Sequence, residues 1–477
     1  MPKPSKPDAD SGNISRKKVA FAVLAVAAII LSGMAVYGLF NNYGHQKNGS
    51  FASEPFPALW QQNFTGTPSS IVTSADGMTY FLVDSNTTWT DGNITWMVYA
   101  VELGTGKISW DHSLTISSPG VIQPDLYLRN GDLFFIGGGQ GLYSNGVASP
   151  SRTATYSMFV VPFNGTGGQM GKVSSIPLTS DFGSSGTFAV NGGQLYLAWI
   201  SLNGKYYANV NAYSAFSGNS SLSQLWNSSV ASPTDYNTNI AMMKVDKQVL
   251  LLPVWNLIGF NTATGKQLFS SPYNTFGTDS NNVVNGALVN STLYFVSELK
   301  TSMGIVDLNL VGIDFTAQIL RANTTIGTSS IGVYPLSVAK FGSELVVETT
   351  SFYENYVVTT TSGKVLWNNT GISYATASSS SSITPGRPVG VLSNGNWILT
   401  SVEKPSGTLG VATQYFEEVD PSNGKLVWIH EFSFVQGAHS SMFVPPSLFQ
   451  SPQVIVISTE SSYLVYRWGS SVGCVAI

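Results

Sequence analysis

Few residues in this chain have the type and spacing that chemistry requires. The four histidines are far apart in the sequence: His45, His112, His430 and His439. The single cysteine, Cys474, has no partner for an internal disulfide. Histidines and a cysteine at these distances do not form a zinc-ligand motif. The sequence therefore predicts no metal site and no disulfide.

Two motifs that can indicate catalysis or nucleotide binding also fail. Residues 469–473 read GSSVG and match G-x-S-x-G, but a nucleophile elbow needs a following helix and later acid and histidine partners, and only four residues follow. The glycine run 137–141 (GGGQG) lacks the spacing of a dinucleotide-binding loop, and we expect a loop there. We therefore predict no catalytic residues and no cofactor.

Carboxylates near predicted turns have a simpler interpretation than catalysis. These residues are Glu102, Asp314, Glu417, Glu418 and Asp420. Acids at such positions usually accept hydrogen bonds from backbone amides of the turn. We expect them to stabilise turns.

Composition excludes some classes of protein. The chain has 477 residues, of which 43% are hydrophobic and 12% aromatic, enough to bury a large core. Only 10% are charged, against about 25% in ordinary soluble domains. The net charge of -4, with no basic run beyond the N-terminus, argues against a nucleic-acid partner.

A repeated unit dominates the chain after residue 56. Residues 98–110, 257–269, 356–367 and 416–428 align directly, and 158–176, 211–226 and 310–320 are weaker copies. The four clear copies share a Gly-Lys pair followed by an aromatic residue: Gly106, Lys107 and Trp110; Gly265, Lys266 and Phe269; Gly363, Lys364 and Trp367; Gly424, Lys425 and Trp428.

Each copy is typical of a β-hairpin with a glycine turn and an aromatic residue on the second strand. Another strand pair precedes every copy, so two hairpins per repeat predict a four-stranded sheet. Sheets repeated at this period predict an all-β fold, a β-propeller. The recurring tryptophans are interpreted as packing residues between sheets, with a sugar-stacking platform as the alternative.

The repeat resembles the quinoprotein-type (PQQ-like) β-propeller repeat, D-x-x-T-G-K-x-x-W. Residues 103–110 and 420–428 match it best. The resemblance implies a propeller scaffold. Enzymes of this type hold a quinone beside adjacent cysteines, with a calcium ion nearby. Because Cys474 is alone in the chain, we predict a non-catalytic member without a cofactor.

The ends of the repeat region predict the number of blades. The segment 57–64 is an isolated strand that carries Trp60, and the last repeat lacks its final strand. If the N-terminal strand completes the last sheet, the propeller has eight blades; seven is the alternative. The predicted propeller spans residues 56–469, and residues 470–477 form a C-terminal tail.

The N-terminal region predicts a membrane anchor. Residues 19–40 contain no charge and can form one transmembrane helix across about 30 Å of bilayer. Basic residues are concentrated in 1–18, which predicts a cytoplasmic tail, a spacer at 41–55 and an extracellular propeller. A cleaved signal peptide is the alternative.

Sequons agree with an extracellular location. Ten N-x-[ST] asparagines are candidate glycosylation sites: Asn48, Asn63, Asn86, Asn93, Asn164, Asn219, Asn227, Asn290, Asn323 and Asn368. The sequence predicts a single-pass cell-membrane glycoprotein that binds or scaffolds protein partners. The alternatives are an extracellular enzyme that oxidises sugars or alcohols and a structural cell-envelope component.

The low charge also suggests an acid-exposed surface, unless it merely reflects the all-β composition.

Overall fold

The computed structural model describes part of the chain beyond residue 57. The described ranges are 58–73, 76–85, 93–117, 124–144, 147–148, 156–178, 182–214, 222–233, 240, 243–273, 285–300, 305–330, 334–350, 355–369, 381–391, 394–405, 411–435, 455–458, 462–468 and 471–476. The predicted cytoplasmic tail (1–18), transmembrane helix (19–40) and spacer (41–55) lie outside them. Within these ranges, none of the helices has the length and hydropathy needed to span a bilayer.

The described strands follow one another as short hairpins. In chain order they are β1 (Ala58–Asn63), β2 (Thr67–Thr73), β3 (Met78–Ser85), β4 (Asn93–Glu102), β5 (Ile108–Ser117), β6 (Asp125–Arg129), β7 (Asp132–Gly139), β8 (Gly141–Ser144), β9 (Val147–Ala148), β10 (Ser157–Asn164), β11 (Ser174–Pro177), β12 (Phe182–Asn191), β13 (Gln194–Leu202), β14 (Tyr206–Tyr213), β15 (Gln224–Ala231), β16 (Lys244–Val245) and β17 (Val249–Pro253).

The second half of the chain continues in the same way. Its strands are β18 (Leu257–Asn261), β19 (Gln267–Ser271), β20 (Ala287–Val289), β21 (Thr292–Lys300), β22 (Ile305–Asp314), β23 (Ile319–Ser330), β24 (Tyr334–Phe341), β25 (Glu344–Thr350), β26 (Asn355–Thr359), β27 (Val365–Asn369), β28 (Ser381–Val391), β29 (Trp397–Pro405), β30 (Val411–Asp420), β31 (Lys425–Val435), β32 (Ile455–Ser458), β33 (Ser462–Trp468) and β34 (Ser471–Ala476).

These strands form eight antiparallel sheets in the described part of the chain, seven of four strands and one of six. We number the sheets in chain order. Sheet 1 is β2-β3-β4-β5 extended by β8-β9, sheet 2 is β6-β7-β10-β11, and sheet 3 is β12 to β15. Sheets 4 to 7 are β16 to β19, β20 to β23, β24 to β27 and β28 to β31. Sheet 8 is β32-β33-β34-β1. The all-β arrangement of repeated four-stranded sheets fits a β-propeller.

Sheet 8 joins the two ends of the chain. Its outermost strand is β1, which pairs antiparallel with β34 from Ala58 opposite Val475 to Asn63 opposite Ser471. The predicted completion of the last sheet by the N-terminal strand is therefore confirmed. The predicted C-terminal tail, 470–477, is wrong, because residues 471–476 are the third strand of this sheet. Cys474 is fully buried within it.

Most of the inner strands bury both faces, which explains their continuous apolar sequences. In β13, Leu195, Leu197 and Trp199 pack against sheet 2. The alternate residues of the same strand, Tyr196, Ala198 and Ile200, pack against sheet 4. Side chains of a strand alternate between its two faces, so a strand placed between two neighbours must be apolar throughout.

Apolar clusters of this kind join sheets 1 to 7 in order and join sheet 8 to sheet 1. Those of sheets 8 and 1 include Trp60, Phe81, Val101 and Cys474, so the first and last sheets are in contact. The contact between sheets 7 and 8 is made by β28 and β32.

The glycine run predicted to be a loop is part of this packing. Gly137 and Gly139 belong to β7, and a Cβ at Gly139 would overlap Ile116 of sheet 1. The glycines are therefore required by a close approach of two sheets rather than by a loop.

Each sheet has two different edges because its strands alternate in direction. The turns after the first and third strands lie at one end of the strands, which we call the turn edge. The connections after the second and fourth strands lie at the opposite edge, which we call the loop edge. The Gly-Lys repeat is the turn between the third and fourth strands, so it always lies at the turn edge.

Candidate functional site

The repeated turn is held by a polar residue at its start and a glycine at its end. In sheet 4, Asn261 Oδ1 accepts hydrogen bonds from the backbone N–H groups of Ala263 and Thr264, both at 3.0 Å. Asp420 Oδ1 accepts one from Ser422 N–H at 2.9 Å in sheet 7. The acid at this position therefore caps a turn, as predicted. The glycines have positive φ, for example 68° at Gly265, a conformation that other residues adopt at a cost.

A β-bulge follows the glycine and turns the aromatic residue toward the next sheet. In sheet 3 the register shifts between Ala212 and Tyr213, so that Leu225 is the extra residue and Trp226 lies opposite Ala212. Corresponding shifts precede Trp110 in sheet 1 and Trp367 in sheet 6. Bulges redirect side chains, and here the same side chain is redirected in several sheets.

Each redirected tryptophan binds the Gly turn of the following sheet, and we call this contact the inter-sheet latch. A Cβ on the turn glycine would overlap the indole, so the ring lies directly on that glycine. The indole Nε1–H groups donate to backbone carbonyls of the next sheet: Trp60 to Leu103 at 2.6 Å, Trp110 to Gly165 at 3.0 Å, Trp226 to Thr262 at 2.8 Å and Trp367 to Pro421 at 2.7 Å.

A second polar contact accompanies the latch, two residues after the tryptophan. Gln62 Nε2 donates to the carbonyl of Gly106 at 3.0 Å, and Ser228 Oγ donates to the carbonyl of Gly265. His112 Nε2 lies 2.5 Å from the carbonyl of Gly168. This position could not be recognised in the sequence by residue type, because glutamine, serine and histidine share no pattern. Their shared offset from the tryptophan was the available signal.

The latch varies around the sheets. In sheet 4 the tryptophan is replaced by Phe269, which stacks on Phe315 of sheet 5 with ring centroids 4.1 Å apart. In sheet 5 the register position that tryptophan holds in the other sheets is occupied by Ala322. Thr324, two residues further on, lies against Gly363 of sheet 6 instead. The contact of sheet 5 with sheet 6 therefore lacks an aromatic latch.

The predicted packing role of the tryptophans agrees with these contacts, although burial differs from one to another. Trp60 and Trp226 are 7% and 9% exposed. Trp110 and Trp367 are only partly buried, and the side chain of Trp428 lies outside the described residues. Among the described tryptophans of this position, the indole is used for contact between sheets.

Asp314, which lies at the turn of sheet 5, has a lowered pKa. Burial alone would raise the pKa of the Asp314 carboxyl, but hydrogen bonds from Ala317 N–H, from the Arg321 guanidinium and from Thr316 N–H outweigh burial and hold the pKa below its ordinary value. The distance from Arg321 Nη2 to Asp314 Oδ2 is 2.8 Å. A carboxyl with a lowered folded-state pKa stabilises the fold above its unfolded-state pKa, and this contribution is lost as the pH falls through the folded value.

We expect the pH dependence contributed by this turn to disappear in Asp314→Asn. Asparagine caps the equivalent turn in sheet 4, so the hydrogen bonds to the backbone can remain while the charge is removed. The loss at pH 7 should be below about 1 kcal/mol, because Arg321 is half exposed. Thermal melting of both proteins from pH 2 to pH 7 measures this. A profile for the variant as steep as that of the original chain below pH 4 would contradict the assignment.

Exposed apolar side chains are concentrated at one position of the fold. In the described part of the chain, nine large apolar side chains are well exposed. Eight of them lie near the turn edge, on outermost strands or on the segment before β11: Leu59, Ile108, Met170, Leu225, Ile319, Leu320, Val365 and Val427. We call these eight residues the apolar rim. Leu59, Leu225 and Val427 are the extra residues of a β-bulge. Ile108, Leu320 and Val365 directly precede one. In these strands the bulge therefore leaves apolar residues in solvent.

Candidate glycosylation sites occupy three kinds of position. Asn63 ends β1 and Asn93 begins β4, at the loop edge, whereas Asn164 ends β10 just before a turn and Asn290 lies in a turn. The others on described strands lie on outermost strands: Asn227, Asn323 and Asn368. Asn48, Asn86 and Asn219 lie outside the described residues.

Metal-ligating side chains are not clustered in the part of the chain that the structure describes. Across the described ranges, no three His, Cys, Asp or Glu residues form a cluster that could hold a metal ion. Burial raises the pKa of the Cys474 thiol to about 12, so this cysteine is protonated at ordinary pH. The apolar rim is thus the feature of the described surface that most resembles a functional site, and it would act by contact.

Comparison with known proteins gives limited similarity. No protein-family model and no curated protein matches the chain. Among solved structures, it is similar to the WD40 domain of SCAP from fission yeast, with 11% identity, a TM-score of 0.32, and coverage of 89% of this chain and 94% of that one. It is also similar to the C-terminal WD40 domain of Sif2, with 7% identity, a TM-score of 0.29, and coverage of 64% and 84%. At this level of similarity neither structure assigns a function to the chain.

Proposed function

We propose that the chain is a single-pass membrane protein whose eight sheets are the blades of a quinoprotein-type propeller, displayed outside the cell to bind or scaffold other proteins. The uncharged segment 19–40 and its basic flank support the anchor and the orientation. The Gly-Lys-x-x-Trp turns of sheets 1 and 6, whose tryptophans donate hydrogen bonds to the following sheets, support the propeller type.

The observation that carries the binding role is a part of the apolar rim that recurs in three successive sheets. Val427 of sheet 7, Leu59 of sheet 8 and Ile108 of sheet 1 are 51%, 42% and 39% exposed and belong to successive sheets. We call these three residues the partner arc. Single exposed apolar residues are common on any protein, but these recur at nearly the same place in the repeat.

Two further features favour the partner arc as the contact surface. No sequon begins near these three residues: Asn63 is the last residue of β1, and Asn93 is the first of β4, at the other edge of its sheet. The latch also fixes two of the strands that carry the arc, β1 through Trp60 and β5 through Trp110. Trp60 follows Leu59 directly and is tied to sheet 1 through Leu103. A contact surface on fixed strands loses little conformational entropy on binding.

We expect a photo-crosslinking amino acid at Leu59, Ile108 or Val427 to give covalent adducts of one defined mass in native membranes. The same residue at Leu202, which is 47% exposed but lies on β13 at the loop edge, is the matched control and should give none. Gel shifts and mass spectrometry of the adducts measure the result. Adducts at Leu202 alone, or at none of the four positions, would contradict the proposed binding surface.

A further inference from the structure

The outermost strands of sheets 3 and 5 carry the same polar arrangement. Asn227 of β15 pairs with Asn211, one residue after the latch residue Trp226. Asn323 of β23 pairs with Val311, one residue after Ala322, which occupies the latch position. Both asparagines begin sequons, Asn-Ser-Ser and Asn-Thr-Thr. The repeat thus places two sequons at one equivalent position of the fold.

The third residue of each sequon is held by the neighbouring strand. Ser229 Oγ donates to Asn209 Oδ1 at 3.0 Å in sheet 3. Thr325 Oγ1 donates to Asn309 Oδ1 at 2.8 Å in sheet 5. The two hydrogen bonds are equivalent, since the donor lies three residues after the latch position in both sheets. The sequon hydroxyl is therefore fixed on one face of the strand.

Side chains alternate between the two faces of a strand, and this alternation determines which way the first and second residues of each sequon face. The middle residues, Ser228 and Thr324, face the turn glycines of the next sheet. Asn227 and Asn323 must face the opposite way. Both asparagine side chains are exposed, and neither makes a hydrogen bond to another residue of the described part. Their Nδ2 atoms are free to be modified.

The same two strands expose apolar groups on an unpaired edge. Leu225 is 49% exposed, and Ile319 and Leu320 are 44% and 57% exposed. β15 and β23 are the outermost strands of their sheets in the described part of the chain. An exposed edge strand with apolar side chains invites pairing with another chain. Sheet 1 solves this problem differently, because β8 pairs with the outer edge of β5.

We propose that Asn227 and Asn323 carry N-linked glycans, and that these glycans cover the apolar residues and the open edges of sheets 3 and 5. In the modification, the asparagine Nδ2 forms a bond to the anomeric carbon of a lipid-pyrophosphate-linked oligosaccharide, loses one proton, and the lipid pyrophosphate leaves. The assignment rests on the proposed extracellular location. Asn368 of β27 occupies the same register position in sheet 6, opposite Val357, but its side chain lies outside the described residues.

Sequons in turns differ from these sites. Asn164 Oδ1 accepts hydrogen bonds from Thr166 N–H at 3.1 Å, from Thr166 Oγ1 at 2.9 Å and from Gly167 N–H at 3.0 Å. This asparagine caps its turn, as Asn261 does without a sequon. The turn alone explains an asparagine at 164, whereas no contact in the described part of the chain requires asparagine at 227 or 323.

Glycopeptide mass spectrometry of the full chain from its native membranes tests the assignment, with variants at the hydroxyl positions. We expect occupied Asn227 and Asn323, loss of the glycan in Ser229→Ala and Thr325→Ala, and retention in the matched controls Ser229→Thr and Thr325→Ser. Sedimentation should show the double variant N227Q/N323Q moving from monomer to dimer or larger species, and the added changes L225S/L320S should restore the monomer.

The outcomes distinguish failure of the proposed extracellular location from failure of the glycan assignment at Asn227 and Asn323. If every sequon is bare, including Asn93, the extracellular location fails and this assignment fails with it. If Asn93 is modified but Asn227 and Asn323 are bare, only this assignment is overturned. If both are modified but N227Q/N323Q remains monomeric, the covering role is overturned.

Discussion

Replacing Trp226 with alanine should lower the free energy of unfolding by about 3 to 5 kcal/mol, the cost of emptying a large buried aromatic site. The ring is 9% exposed, packs on Gly265 and donates a hydrogen bond to Thr262 of the next sheet. Its removal leaves both a cavity between sheets 3 and 4 and an unpaired carbonyl. Urea denaturation followed by fluorescence and circular dichroism measures the loss.

Trp226→Phe is the matched control, because it keeps most of the ring and removes the indole N–H. It should cost less than the alanine variant, with about 1 kcal/mol from the lost hydrogen bond. Trp110→Ala should also cost less, since this ring is only partly buried. Equal stability of Trp226→Ala and the original chain would show that the latch does not hold the sheets together.

Gly106→Ala should have a comparable effect for a different reason. Gly106 has φ of 70°, and an alanine there costs about 1 to 2 kcal/mol in backbone energy. The added methyl would also overlap the indole of Trp60, and overpacking adds about 1 to 3 kcal/mol. The expected total is about 2 to 5 kcal/mol, measured by the same urea titration.

Gly77→Ala separates the two contributions. Gly77 lies in the other turn at the same edge of sheet 1 and has φ of 84°, but no atom lies within 4 Å of an added Cβ. It should therefore show the backbone cost alone. If Gly106→Ala and Gly77→Ala lose the same stability, the tight contact between Gly106 and Trp60 contributes nothing to the fold.

Local signals predicted the turns and the hairpins well. The Gly-Lys pair and the following aromatic are close in sequence, and a turn with positive φ requires glycine wherever it occurs. The closing strand was also predictable, because Trp60 stands alone before the first repeat. In these cases one short segment contains all the residues that determine the structure.

Features that depend on contacts between sheets were not predictable in the same way. The role of Gln62, His112 and Ser228 depends on a carbonyl in the next sheet, which no local pattern encodes. β34 was taken for a tail because it lacks the aromatic residue that marks other strands. The apolar rim was also missed, since exposed and buried apolar residues alternate in the same strands and only the bulge decides which is which.

The pairing of β1 with β34 has a consequence for synthesis of the protein. β1 leaves the ribosome first, but its partner is translated about 400 residues later, since Ala58 lies opposite Val475. At roughly 5 to 20 residues per second, the first strand waits at least about 20 s without its partner. Throughout that interval β1 has no strand to pair with, so this nascent segment is expected to bind chaperones.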